Sequence, residues 1–254
     1  MGASLEREVD ERISRRALFL EAVELIETAA REAVGKRGRF NLVLTGGRAA
    51  RALYRHLVDF HIRPDFQEIW RRTDFFLGDE RWVPEAHPDS NGGMVRCRLL
   101  DPCGIADDRI YLIPTPDSCD SPAEAAAAYE KTLRGYFGAE TGGKIDLPQF
   151  DLVLLSLGDD GHVASLFPAA DALREKESWV TVSSPPAAAA PAVARITLTL
   201  PVINRARKVV VMAVGGEKAA LTREIVSQPP GISNIYPAAM VNSAGRTIWL
   251  LTDN

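Results

Sequence analysis

The sequence predicts an α/β domain, a mostly parallel sheet with helices on both faces, spanning residues 1–254 as one unit. Three observations carry that prediction. Short apolar runs alternate with amphipathic stretches, the pattern of repeated strand–helix units. Four of those runs end in glycine-bearing segments, as strands feeding tight turns do. The composition, 46% hydrophobic and 25% charged over 254 residues, is that of an ordinary globular protein, with enough apolar surface to bury a real core.

The elements follow in order. Over 13–34, Ile13, Ala17, Leu20, Val23, Ile26, Ala30 and Val34 recur at helical spacing among charges, which predicts an amphipathic helix ended by Gly35 and Gly38. Residues 40–44 are a short apolar run, the mark of a buried strand; Thr45-Gly46-Gly47 breaks it and a helix is expected over 48–60. Residues 75–77 read as a strand running into Gly78-Asp79-Glu80-Arg81. An alanine-rich helix is expected over 122–137, with Pro122 at its start, where proline is favoured. Residues 151–157 form a buried-strand candidate ending in Gly158-Asp159-Asp160-Gly161, and 208–214 another, ending in Gly215-Gly216 before a helix over 217–227. Residues 247–252 read as a last strand. Ile196, Leu198 and Leu200 alternate with threonines, which predicts a half-exposed strand. The proline- and alanine-rich stretch 183–191 reads as a surface loop. No internal repeat or domain boundary stands out.

Composition excludes some functions. A formal net charge of −4 argues against generic nucleic-acid or membrane-surface binding, which needs a basic field. It leaves room for a small anionic ligand held by a few local cations. Cys97, Cys103 and Cys119 form no paired motif, as expected of reduced thiols. Residues 1–16 are charged and lack an apolar signal core, and no apolar run approaches the ~20 residues of a membrane span. A soluble, unprocessed, cytoplasmic protein is expected.

Parallel sheets bind ligands beyond the carboxyl ends of their strands. The four glycine-bearing segments all follow strands, so they are expected to meet at one sheet edge. The most informative is Gly158-Asp159-Asp160-Gly161-His162-Val163-Ala164-Ser165-Leu166-Phe167-Pro168. It sets a histidine just after a buried strand, behind two acids and two glycines that permit close backbone approach to a ligand. A helix starting near Gly161 would put its positive end under the imidazole and keep the base neutral. Asp160 would orient the ring or hold substrate hydroxyls. The plainer alternative is a structural histidine capping a turn. A metal site is disfavoured, because no second histidine lies at ligand spacing. Asp79-Glu80-Arg81 is either a solvated turn with a surface ion pair or part of a pocket.

Together these segments make the chain, from about Phe40 to Leu251, resemble the 6-phosphogluconolactonase family, relatives of the glucosamine-6-phosphate deaminases. The match runs in order through Thr45-Gly46-Gly47 and Asp79-Glu80-Arg81-Trp82-Val83-Pro84, followed by His87-Pro88-Asp89-Ser90-Asn91. It continues through the His162 segment, with Val163 where threonine is usual, then Arg195-Ile196-Thr197, Pro201, Asn204, Gly215, Lys218 and Ala219. The resemblance implies a Rossmann-like fold and hydrolysis of a sugar-phosphate lactone, with no cofactor or metal. It implies His162 as the base with Asp160 beside it, and Arg195 and Lys218 as the phosphate grip. A guanidinium and a lysine suit a phosphate dianion, and the N–H groups of Gly46, Gly47 and Arg48 at a helix start would add donors. Arg81 would help hold the substrate, with Asp79 or Glu80 orienting neighbours and Asn91 fixing the loop. Read without the resemblance, Arg195 is equally an edge-strand charge and Lys218 an ordinary first-turn residue. His56, His61 and His87 read as structural or exposed.

Two departures stand out. Arg48-Ala49-Ala50 replaces the hydroxyl residues and proline usual after the glycine loop, and Arg48 is expected to compensate by reaching the phosphate. The alanine/proline loop before Arg195 lacks a lysine common in relatives. Two rival functions remain open: a deaminase-type enzyme, whose partner glutamate is replaced here by Phe167, and a non-catalytic sugar-phosphate-binding protein. The sequence leaves the oligomeric state open, and a monomer is compatible with it.

Overall fold

The computed structural model describes residues 7–12, 14–141, 147–187, 189–227 and 235–254. Ile13, named above within a helix, and position 188 of the loop expected over 183–191 lie outside these. The chain opens with strand β1 (Arg7–Glu11) and helix α1 (Arg15–Arg37). Next come β2 (Phe40–Leu44), α2 (Gly47–His61), α3 (Pro64–Trp70) and β3 (Thr73–Leu77). The short strand β4 (Asp79–Arg81), α4 (Asn91–Val95), β5 (Ile110–Tyr111) and α5 (Pro122–Thr141) lead to β6 (Leu152–Ser156). The remainder is β7 (Val180–Ser183), β8 (Arg195–Leu198), α6 (Leu200–Arg205), β9 (Lys208–Val214), α7 (Gly216–Ser227) and β10 (Arg246–Thr252).

Seven strands form one sheet in the order β1-β10-β9-β6-β2-β3-β5, and every neighbouring pair runs parallel. The interior strands are mostly apolar because both faces are covered; β2 and β3 are buried at every position, including the polar Asn41, Thr73 and Asp74 near their starts. The chain steps outward from β2 to β3 and the other way from β6 to β9. The strand order therefore reverses between β2 and β6, where such sheets bind ligands.

Buried tyrosines pin the strand ends that face this crevice. The Tyr54 hydroxyl donates to the Thr45 carbonyl at 2.5 Å and accepts from its N–H at 3.1 Å. Tyr129 does the same for Leu77, at 3.0 and 3.1 Å. The loops after β2 and β3 thus leave the sheet from fixed points. Helix α1 is bounded as a capped helix should be: Ser14 Oγ accepts from the Ala17 N–H at 3.2 Å, and Gly38, at φ 77°, closes the other end on the Val34 carbonyl.

Several expectations need correction. Gly35 lies inside α1, and Gly38 alone ends it. Asp79–Arg81 is a strand, not a turn: it pairs antiparallel with β8, which pairs with β7, making a second, three-stranded sheet. Strand β8 is buried at every position, Thr197 included, and Leu200 belongs to α6. The face that the alternating threonines led one to expect in solvent is covered instead, at Thr197 by the segment after His162: Thr197 Oγ1 accepts the Ser165 N–H at 3.3 Å. No helix begins near Gly161; the chain there is a turn followed by irregular backbone.

Candidate active site

A cavity of about 770 Å³ opens at the carboxyl ends of β2, β6 and β9. All four glycine-bearing segments reach it: Thr45, Gly46, Gly47 and Arg48; Asp79 and Arg81; Gly158, Asp159 and His162; Gly215, Gly216 and Lys218. The expected convergence is therefore met.

The histidine is placed by a tight turn. The Gly158 N–H donates to the His162 carbonyl at 2.8 Å, and the Gly161 N–H donates to the Gly158 carbonyl at 3.1 Å. This folds the imidazole back over Gly158. A Cβ added to Gly158 would lie 2.1 Å from His162 Nδ1, so only glycine fits beneath the ring. On the other side the ring meets Phe167, with centroids 4.6 Å apart. Nδ1 lies 2.5 Å from Asp160 Oδ1, which also accepts the His162 backbone N–H at 3.1 Å. Burial works to raise the Asp160 carboxyl, but the hydrogen bonds and charge of His162 outweigh it and hold the group below its ordinary value. An ionised Asp160 claims the proton on Nδ1. The lone pair is then on Nε2, the arrangement of a neutral base. Asp160 orients the ring as expected, while the helix end expected beneath the imidazole to disfavour its charged form is absent. Asp160 itself is not among the residues lining the cavity.

The Asp-Glu-Arg strand divides its labour. Asp79, 6% exposed, faces the cavity and accepts from Ser165 Oγ at 2.6 Å. Glu80 points the other way and is fully buried. Its Oε1 accepts the N–H groups of Arg81 and Asn91, each at 2.7 Å. Its Oε2 accepts the Gly92 N–H at 2.6 Å and Ser90 Oγ at 3.0 Å. Burial pushes this carboxyl up to about 7, against the four donors that pull it down. Glu80 therefore organises the loop rather than meeting substrate. Glu80→Gln would turn an amide NH₂ toward N–H donors. At pH 8, where the carboxylate is ionised, it is expected to destabilise the fold by about 2–3 kcal/mol, read as a lower denaturant midpoint at constant slope.

That loop delivers Asn91 to the cavity. Its Nδ2 donates to the Asp79 carbonyl at 2.9 Å, and a Cβ on Gly46 would lie 1.8 Å from its Oδ1. The glycine loop and the Asn91 side chain are in direct contact, which is why Gly46 must be glycine. Ser156 Oγ ties the same loop to β6 through the Gly46 carbonyl at 3.2 Å.

The cations are placed unequally. Lys218 lines the cavity, its Nζ donating to the Leu157 carbonyl at 2.6 Å and lying 3.3 Å from Asp159 Oδ1. Arg81 also lines it and donates to the Asp89 carbonyl at 2.7 Å. Arg48 lines it at the first turn of α2, whose N-cap, Gly46, offers no side-chain cap. Arg195 is the exception to the expected site. It sits opposite Arg81 across the β4–β8 pair, 4% exposed, and is not among the lining residues. Its guanidinium donates to the carbonyls of Pro191 at 2.8 Å and Val193 at 3.3 Å. Burial, then the charge of Arg81, lower its pKa. Among the lining residues that sequence reasoning missed are Arg15 and Phe19 of α1, Ala52 of α2 and Ser156 of β6.

Comparison with known proteins identifies the family. The family model described as glucosamine-6-phosphate isomerases/6-phosphogluconolactonase matches residues 13–249. A 6-phosphogluconolactonase of Synechocystis is 36% identical over 96% of this chain and 95% of its own. One of Bos taurus is 38% identical over 85% of this chain and 79% of its own. Among solved structures, 6-phosphogluconolactonase from Trypanosoma cruzi superposes with a TM-score of 0.82 at 28% identity, covering 98% of this chain and 96% of that one. A monomeric glucosamine-6-phosphate deaminase shares the fold alone, with a TM-score of 0.73 at 18% identity over 96% of this chain and 97% of that one. The Rossmann-like sheet, the convergent glycine loops and these matches agree, and the chain is an enzyme of the 6-phosphogluconolactonase family.

Proposed function

We propose that the protein hydrolyses 6-phosphoglucono-1,5-lactone to 6-phosphogluconate in the cytoplasm, as the second step of the pentose phosphate pathway, with His162 as general base. The observation that carries this reading is the Asp160–His162 pair at 2.5 Å, its Nε2 without a hydrogen-bond partner among the described residues, at a cavity rich in cations. The lactone's phosphate is distant from its carbonyl. Anchoring that phosphate on Arg48, the N–H groups of Gly46, Gly47 and Arg48, and Lys218 uses its binding energy to orient the ester. Lys218 would exchange its bond to the Leu157 carbonyl for a phosphate oxygen. Arg81 and Asp79 would hold the sugar, and Arg195 would act behind Arg81 rather than on the substrate.

His162 Nε2 takes a proton from water as the water oxygen attacks C1. Asp160 steadies the imidazolium that forms. Backbone N–H donors at the glycine turns stabilise the negative carbonyl oxygen of the tetrahedral intermediate. The bond from C1 to the ring oxygen then breaks, and the imidazolium returns its proton to that oxygen. The product's carboxylic acid loses a proton to solvent.

The test is direct. The lactone is generated in situ by glucose-6-phosphate dehydrogenase, and its disappearance is followed with and without the protein. Accelerated loss supports the reading; a rate equal to spontaneous hydrolysis would sink it. Glucosamine 6-phosphate is expected to release no ammonia, because Phe167 occupies the place of the deaminase glutamate and its ring packs on His162.

A further inference from the structure

We propose that Arg15 and Arg48 together form the phosphate clamp, so that α1, which contributes nothing to the glycine-loop motif, supplies a substrate-binding residue. The proposal deepens the lactonase reading and rests on it for the identity of the sugar phosphate. Both arginines line the cavity, and neither has a hydrogen-bonding or ionic partner among the described residues. Lys218, the third cation assigned to the phosphate, must first give up Leu157 and Asp159, while Arg81 is held by Asp89, and Arg195 by Pro191 and Val193.

The two arginines also share a wall. Helices α1 and α2 follow parallel strands, so both begin at the carboxyl edge of the sheet, and they pack on each other. Phe19, one turn after Arg15, lies with its ring 5.8 Å from that of His56 on α2. Phe19 lines the cavity together with Ala52, one turn after Arg48. Arg15 and Arg48 therefore head the two helices whose next turns form the same apolar surface. Two uncompensated guanidiniums on one wall repel each other, and each stands in the first turn of a helix, where a cation opposes the dipole. A bound dianion removes both penalties. A phosphate offers three oxygens, enough for a planar guanidinium on each side. The glycine loop of this chain runs Thr45-Gly46-Gly47-Arg48-Ala49-Ala50 and carries no hydroxyl after its glycines. Arg48 from that loop and Arg15 from the neighbouring helix supply the missing donors.

The experiment measures 6-phosphogluconate affinity by calorimetry, and lactone kinetics, for wild type, Arg15→Ala, Arg15→Lys and Arg48→Ala, with melting temperature as the control for folding. Arg15→Ala is expected to weaken 6-phosphogluconate about tenfold or more, with KM for the lactone rising in step and kcat falling far less. Arg15→Lys is expected to recover part of the affinity through its point charge, at unchanged melting temperature. An Arg15→Ala affinity within twofold of wild type would overturn the clamp. So would a loss carried by kcat rather than KM. Wild-type protein that binds 6-phosphogluconate but does not turn over the lactone would sink the lactonase reading and leave the clamp standing. Wild-type protein that binds no 6-phosphogluconate would remove both.

Discussion

His162→Ala is expected to lower kcat/KM for the lactone by about 10³-fold or more, with little change in melting temperature. The imidazole is 29% exposed and its partner Asp160 39%, so removal leaves a carboxylate that water can solvate. The neighbouring hydrogen bond from the Gly158 N–H is to the His162 carbonyl, which alanine keeps. The turn should therefore persist without the base. Affinity for 6-phosphogluconate should survive, because the cations that would hold its phosphate come from other loops. Asp160→Asn tests the division of labour within the pair. It keeps the ring but replaces an obligate acceptor with an amide that accepts or donates, so the Nδ1 tautomer is no longer enforced. Its loss should be smaller than that of His162→Ala and should fall on kcat. Turnover at the wild-type rate in His162→Ala would remove this residue from the base role.

The parts of this molecule that sequence reading reached are those where local chemistry and tertiary context agree. Strands β2, β6 and β9 are buried on both faces, so they must be apolar runs. The edge strand β1 is Arg-Glu-Val-Asp-Glu, with a single apolar residue; it is a strand because β10 offers it a parallel edge, which no local pattern announces. Asp79-Glu80-Arg81, which the sequence left open as a solvated turn or part of a pocket, was not legible as a strand for the same reason. Its strand character comes from β8, and the burial of Glu80 from donors that lie 10 to 12 residues ahead in the chain. Helix α4 begins Asn91-Gly92-Gly93, poor helix formers that a buried carboxylate at their N–H groups overrides. In the site, His162, Lys218 and Gly46 were legible because each lies in a glycine-bearing segment that follows a strand, and the sheet's edge gathers such segments. Arg15 and Phe19 were not, since within a long amphipathic helix nothing separates a cavity-facing residue from a solvent-facing one. Arg195 was legible as a motif residue, but its role as a direct ligand depended on a side-chain direction that pairing with β4 turns toward Pro191 and Val193.

The second large effect is expected at a residue with no functional group. Gly158→Ala would put a methyl group 2.1 Å from Nδ1, 2.2 Å from Cε1 and 2.7 Å from Cγ of His162. These atoms are the body of the ring, so a small tilt cannot relieve the contact. The imidazole must leave its seat, and the hydrogen bond from Nδ1 to Asp160 goes with it. Activity is expected to fall by about 10²-fold or more, through kcat, with 6-phosphogluconate affinity largely kept. A general weakening of the turn would predict something else, and the double variant separates the two. With His162→Ala already present, the three ring atoms nearest the added methyl are gone. Gly158→Ala should then cost no further activity, and its effect on stability should change sign. In wild type it destabilises by steric conflict; without the ring it should stabilise by about 0.4–1 kcal/mol, the usual gain from restricting the unfolded chain. If Gly158→Ala lowers stability equally in both backgrounds, the glycine serves the turn itself, and the fit between backbone and imidazole is not what holds the base in place.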